Sequence, residues 1–227
     1  MGSVKVHGMW ACSYTQRVLV ALKLKGVEFE YIEEDSSDKS PTLSLYNPIY
    51  EKVPILVHEG KAVVESVVIL EYIEETWRHD PLMPENPYDR ALIRFWVHFV
   101  EEKLGPAVGS ILQLSGEEQS AAIGQARESL RFIEAELTEG QFKGRKFFGG
   151  NHVGILDIVL GCGSFWLKAM EEDVEVKIYE EEAFPMFHAW VCSFEELPQV
   201  KETIPDAEKF MDYAKALRKM MLNFGNP

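Results

Sequence analysis

Trp10-Ala11-Cys12-Ser13-Tyr14-Thr15-Gln16-Arg17 is the stretch on which the reading turns. Before it, Val4 and Val6 alternate with Lys5 and His7, the period of a half-buried strand. After it, Ser13 to Lys25 carries apolar residues at Val18, Leu19 and Leu22, and Gly26 closes the pattern as a helix stop. A thiol and a hydroxyl therefore fall where a strand meets the start of a helix. Such a junction offers free N–H groups and the positive end of the helix dipole, which favour an anion such as a thiolate. The plainer alternative is packing and capping: Cys12 as a small buried filler, Ser13 as an N-cap.

Outward from this junction the chain shows two grammars. Val27, Phe29 and Tyr31 alternate with Glu28 and Glu30, which predicts a second strand. Residues 37–46 read as a short, irregular helix. Val53 to Val57 and Ala62 to Val64 flank His58-Glu59-Gly60-Lys61 as a hairpin, with Pro54 tolerated at the strand's opening. Glu65 to Trp77 reads as a helix with Val68, Tyr72 and Ile73 on one face. The order is β-α-β-α-β-β-α over residues 1–78. The helix-joined pair of strands is expected to be parallel and the last pair antiparallel. Residues 79–88 hold three prolines and read as a linker.

Beyond the linker, over 89–227, the strand signal disappears. Leu92, Phe95, Trp96, Phe99 and Val100 recur at helical spacing, as do Ile123, Ala126, Leu130, Ile133 and Leu137. Ile155 to Met170 is apolar apart from Asp157 and Lys168 and is expected to be one buried central helix. Residues 183–194 and 206–222 predict further helices. The fold class is thus an α/β first part followed by an all-α second part.

Composition excludes several functions. Lys plus Arg is 23 and Asp plus Glu is 37, a formal charge of −14. That excess repels phosphate backbones and anionic lipid, so neither nucleic acid nor membrane is expected as a partner. No apolar run approaches the roughly 18 residues of a spanning helix, and the N-terminus lacks a signal-peptide core. Cys12, Cys162 and Cys192 are too few and too scattered for a disulfide framework, so a reducing, cytoplasmic setting is expected. The histidines lack ligand spacing, and no CxxC, GxSxG or P-loop is present. No metal is expected.

A second candidate cluster lies at Val64-Glu65-Ser66, where a helix begins. Ser66 is a plausible cap. A ligand's α-carboxylate could sit on the helix N–H groups and Ser66, with its ammonium on Glu65. An ordinary helix start is the alternative.

The residues that carry a family resemblance are spread along the chain. They include Trp10, Arg17-Val18, the run from Ala21 to Val27, the run from Tyr31 to Asp35, Lys39-Ser40-Pro41 and Asn47-Pro48. They continue through Lys52-Val53-Pro54, Glu65-Ser66, Glu71-Tyr72-Ile73, Arg94-Phe95-Trp96, Phe148-Gly149-Gly150 and Asp157-Ile158. The first part resembles the thioredoxin-like domain of the glutathione transferases, and the whole chain resembles a plant tau-class member. The resemblance implies glutathione as co-substrate and conjugation of its thiol to a small hydrophobic electrophile. It implies that Lys39 and Lys52 pair with the glycyl carboxylate. It implies that Val53 bonds the cysteinyl unit through its main chain beside a cis Pro54, and that Glu65 and Ser66 hold the γ-glutamyl end. Asp157 corresponds to a buried structural aspartate. Trp10, Leu104, Val108, Leu112 and Trp166 are candidates for an apolar wall around the electrophile. Gly105-Pro106 and Gly109 predict a roomy pocket there. A homodimer is the assembly the family implies.

The resemblance breaks at one place that matters. Counting from Trp10, the family's catalytic serine position holds Cys12, and Ser13 follows. A thiol is a poor hydrogen-bond donor to a glutathione thiolate. Ser13 could donate that bond instead. Alternatively Cys12 could be the nucleophile of a thioltransferase, reducing a mixed disulfide or dehydroascorbate with free glutathione. A third reading is a non-catalytic carrier of hydrophobic ligands.

Overall fold

A computed structural model describes residues 2–34 and 40–224. The chain separates into two compact units. One comprises residues 1–83 with 198–204, the other 84–197 with 205–227.

The first unit is a four-stranded sheet with helices. Strands β1 (Val4–Gly8), β2 (Glu30–Glu33), β3 (Ile55–His58) and β4 (Lys61–Val64) lie in the order β2-β1-β3-β4. The β1–β2 pair is parallel, and β1–β3 and β3–β4 are antiparallel. Helices α1 (Ser13–Leu24), α2 (Pro41–Tyr46) and α3 (Ser66–Thr76) complete the α/β pattern, and the parallel crossover and the hairpin are as the sequence predicts. The core runs through Val6, Val18, Leu22, Ile55, Leu56, Ile69, Leu70 and Ile73, all buried.

Two local expectations are corrected. Strand β2 begins at Glu30, three residues later than the alternation suggests. The reason lies in how α1 ends. Gly26 takes φ 59°, and the Val27 N–H donates to the Leu22 carbonyl at 2.9 Å, so Val27 belongs to the helix exit and not to a strand. On α3 the buried face is Ser66, Ile69, Leu70 and Ile73, while Val68 is 55% exposed. The β-branched residues at the helix start had disguised the true i, i+3, i+4 stripe.

The stretch 79–83 packs on the first unit. Glu74 of α3 accepts from the N–H groups of Leu82 and Met83 at 2.9 and 3.2 Å. Its partner is Lys25, wholly buried, whose Nζ donates to Glu74 at 2.7 Å and to the His79 carbonyl at 2.8 Å. A lysine at that depth is tolerable because its ammonium meets a carboxylate and a backbone carbonyl.

The second unit is all helical: α4 (Pro87–Phe99), a π-helical turn (Val100–Leu104), α5 (Gly105–Gln113), α6 (Gly116–Thr138), α7 (Ile155–Gly161), α8 (Ser164–Val174), α9 (Pro185–Glu195) and α11 (Ala207–Phe224). The short α10 (Pro198–Lys201) belongs with the first unit. The expected single helix over 155–170 is instead two, α7 and α8, broken at Cys162-Gly163. Gly161 explains part of this: a Cβ there would lie 2.4 Å from the Phe194 ring. Close approach of α9 thus demands glycine in a segment whose apolar content otherwise reads as continuous helix.

Asp157 anchors the second unit. Its carboxylate accepts from the N–H groups of Phe148, Gly149 and Gly154 at 2.9, 3.0 and 2.8 Å, and from Trp190 Nε1 at 2.7 Å. Burial pushes its carboxyl above the usual range, while these four donors pull the other way.

Candidate functional site

The junction of β1 and α1 is a tight turn whose peptides are tied from inside. The Cys12 N–H donates to the Met9 carbonyl at 3.0 Å, and the Met9 N–H to Thr15 Oγ1 at 3.3 Å. Gln16 Nε2 donates to the Trp10 carbonyl at 3.2 Å. Thr15 and Gln16 are buried because they serve this turn. Cys12 holds the N-cap position with extended backbone (φ −85°, ψ 115°), and Ser13 is the first helical residue. The thiol makes no capping bond, is not in a disulfide and is half-buried. The first turn of α1 carries no acidic residue, so nothing on that turn offsets the positive helix end. Ser13 is also half-buried.

The start of α3 lies beside the start of α1. The link is Arg17, 5% exposed, whose Nη1 donates to Ser66 Oγ at 3.1 Å. Its guanidinium also lies 4.6 Å from the centre of the Tyr14 ring. Ser66 is therefore buried at the first helical position of α3, not its cap. The cap position is Glu65, exposed and held at φ 70°, ψ 117°. A non-glycine residue in that region is strained, a condition that often marks a ligand clamp. Two helix starts, a carboxylate and two hydroxyls are thus gathered in one unit.

Val53 is half-buried and packs on Leu43, Ile55 and Val57. The Val53–Pro54 bond is cis and Pro54 is buried. Lys52 is exposed, and its carbonyl accepts from Asn47 Nδ2 at 3.0 Å. Lys39 lies outside the described residues.

Of the expected apolar wall, Trp10 is half-buried in the first unit. In the second unit Leu104 and Leu112 are buried core residues and Val108 is half-buried. Trp166 is half-buried and packs edge-on against Phe210, with 4.7 Å between ring centres. A Cβ added at Gly109 would meet nothing within 4 Å.

The roles of several residues at the junction escape sequence reading. Arg17 is visible as a charge among the apolar positions of α1, but its bond to Ser66 is not. Glu33 accepts the Trp10 N–H at 3.0 Å and the Tyr31 hydroxyl at 2.6 Å. His7 Nδ1 of β1 and Glu34 Oε1, one residue past β2, form a buried pair at 2.7 Å. Among the described residues no group of three His, Cys, Asp or Glu side chains could hold a metal ion. No described helix is long and apolar enough to cross a membrane.

A thioredoxin-like unit, with its mixed four-stranded sheet and flanking helices, joined to an all-helical unit is the two-part architecture of the glutathione S-transferase fold. The chain matches family models of the glutathione S-transferase N-terminal domain over residues 2–75 and the C-terminal domain over residues 95–198. It is 43% identical to glutathione transferase GST 23 of Zea mays over 221 residues, covering 97% of each chain. The structure of a tau-class glutathione S-transferase from mango, Mangifera indica, is similar, with a TM-score of 0.90 and 38% identity over 95% of this chain and 98% of that one. So is the structure of rice GST1 in complex with glutathione, with a TM-score of 0.88 and 33% identity over 96% of this chain and 97% of that one. The chain belongs to the glutathione S-transferase family, among its plant tau-class members.

Proposed function

We propose that the chain joins the thiol of glutathione to hydrophobic electrophiles, with the tripeptide lying across the starts of α1 and α3. The observation that carries this reading is the Arg17–Ser66 bond, which sets the two helix starts side by side. In it, Ser66 and Glu65 hold the γ-glutamyl end, and Val53 offers its main chain to the cysteinyl unit. Lys52 and Lys39 answer the glycyl carboxylate. Ser13 donates a hydrogen bond to the glutathione sulfur, helped by the uncompensated end of α1. That bond favours the thiolate over the thiol, each pKa unit being worth about 1.4 kcal/mol. Of the apolar candidates, the half-buried Val108 and Trp166 of the second unit support a hydrophobic electrophile.

A second reading is supported by the Cys12 thiol, which is half-buried and makes no capping bond at the helix start. The Cys12 thiolate would attack a glutathione mixed disulfide, taking the glutathionyl sulfur and releasing the substrate thiol, and free glutathione would then cleave the Cys12–glutathione disulfide to give glutathione disulfide and the free Cys12 thiol.

Three variants separate the two. If Ser13 is the donor, Ser13→Ala lowers conjugation about tenfold or more, as loss of one thiolate hydrogen bond does, while Cys12→Ala retains it. If Cys12 is the nucleophile, Cys12→Ser abolishes disulfide reduction. Conjugation untouched by Ser13→Ala removes Ser13 from the mechanism. We also propose that the protein works in the cytoplasm as a homodimer.

A further inference from the structure

We infer that Glu33 is a positioning residue of this site: its carboxylate clamps the Trp10 peptide and so fixes where Cys12 and Ser13 meet a bound thiol. The inference rests on the glutathione reading above.

The turn from Met9 to Cys12 is tied on its inner side by α1, through Thr15 and Gln16. Glu33 ties it from the other side. The parallel register sets Glu33 opposite Gly8, so its side chain emerges where β1 ends and the turn begins. One carboxylate oxygen accepts the Trp10 N–H at 3.0 Å and the other the Tyr31 hydroxyl at 2.6 Å. Charge-assisted bonds of this kind are roughly twice as strong as neutral ones. Tyr31 orients the clamp. Burial first, then the Glu33 carboxylate, pushes its phenol well above the usual range, so it remains a donor throughout the working pH. Gly8 makes the arrangement possible. A Cβ there would stand 2.3 Å from Thr15 Cγ2 and 3.0 Å from Tyr31 Cε2, pushing apart the inner tie and the orienting ring.

The backbone of Trp10 is thus held on both sides, the N–H of the peptide before it by Glu33 and the carbonyl of the peptide after it by Gln16. Two residues later stands the Cys12 thiol, and three later the Ser13 hydroxyl. A turn free to rotate about Trp10 would still bind the γ-glutamyl and glycyl ends of the tripeptide, because those contacts lie elsewhere. It would lose the alignment of the sulfur with its donor, and misplacement on this scale costs rate more than binding.

The test compares Glu33→Ala, Glu33→Gln and Tyr31→Phe with the wild type. Three quantities are measured: turnover with glutathione and 1-chloro-2,4-dinitrobenzene, calorimetric affinity for the sulfur-free tripeptide γ-glutamyl-alanyl-glycine, and amide exchange at Trp10 by NMR. For Glu33→Ala, kcat falls about tenfold and Trp10 exchange quickens by about the same factor, while tripeptide affinity stays within about twofold. Glu33→Gln, which keeps an acceptor, recovers most of the rate, and Tyr31→Phe falls between. Unchanged kcat and exchange in Glu33→Ala overturn the inference. So does an equal loss of tripeptide affinity, which would mark a merely structural role. A wild type that neither turns over glutathione nor binds the sulfur-free tripeptide overturns the glutathione reading instead, and Trp10 exchange still reports on the clamp.

Discussion

Single side chains in this protein act through partners far along the chain, and that decides what a sequence can reveal. Cys12 and Ser13 are legible because their chemistry and their place at a strand–helix junction coincide within a few residues. Arg17 and Glu33 are not, because Ser66 is 49 residues from the first and Trp10 is 23 from the second. Tyr179 gives a residue-scale prediction of the same kind. It is half-buried near Glu171, Glu195 and Cys192, and burial followed by these charges pushes its phenol from 10.0 up to about 12. The native state therefore keeps this proton more tightly than the unfolded chain does. The stabilisation is fully present below pH 10 and is lost as pH rises through 12. Because the group is partly solvated, the loss is discounted to about 1 kcal/mol. Denaturant titrations at pH 9 to 12 should show the wild type losing this much more than Tyr179→Phe. Parallel curves would refute it.

At the scale of elements, amphipathic period and turn chemistry located every strand of the first unit, and the order of pairing followed from connection type. What failed were boundaries. The exit of α1 claimed Val27 from β2 through a local helix-end bond, and the approach of α9 accounts for part of the split of α7 from α8. Gly161 tests that last argument. Its hydrogen faces the Phe194 ring, itself stacked at 5.8 Å on Trp190, whose indole N–H is bound to Asp157. Gly161→Ala places a methyl group inside that stack and cannot be absorbed by a flexible side-chain end. A loss of about 1–3 kcal/mol is expected, the ordinary range for overpacking. Phe194→Leu in the same chain should return part of it, because the two sites share one space. A Gly161→Ala protein as stable as the parent would mean that α7 and α9 part easily and that the break between α7 and α8 has another cause.

On the scale of the whole molecule, the acidic balance and the exposed aromatic residues pull in opposite directions. The charge of −14 keeps copies apart at low salt. Yet α4 leaves Tyr88 68% and Phe95 58% exposed, and Phe132 of α6 is 54% exposed. Phe95, Trp96, Phe99 and Phe132 form a continuous chain of edge-on rings with centres 5.2 to 6.0 Å apart. Trp96 is buried and Phe99 half-buried, but Phe95 and Phe132 stand exposed at the two ends of this ring chain, and exposed aromatic rings of this kind are what a partner's surface covers. The proposed homodimer would bury them, and its strength should rise with salt, because salt screens the like charges between copies without weakening apolar burial. Light scattering should then report twice 25.9 kDa, or about 52 kDa, and Phe95→Glu should shift the mass toward the single chain. The variant's melting transition taken at high dilution separates loss of pairing from loss of fold, since an exposed side chain contributes little to the isolated fold. A wild type that stays at the single-chain mass across salt and concentration would leave the ring chain as surface of a monomer and remove the dimer from the proposal.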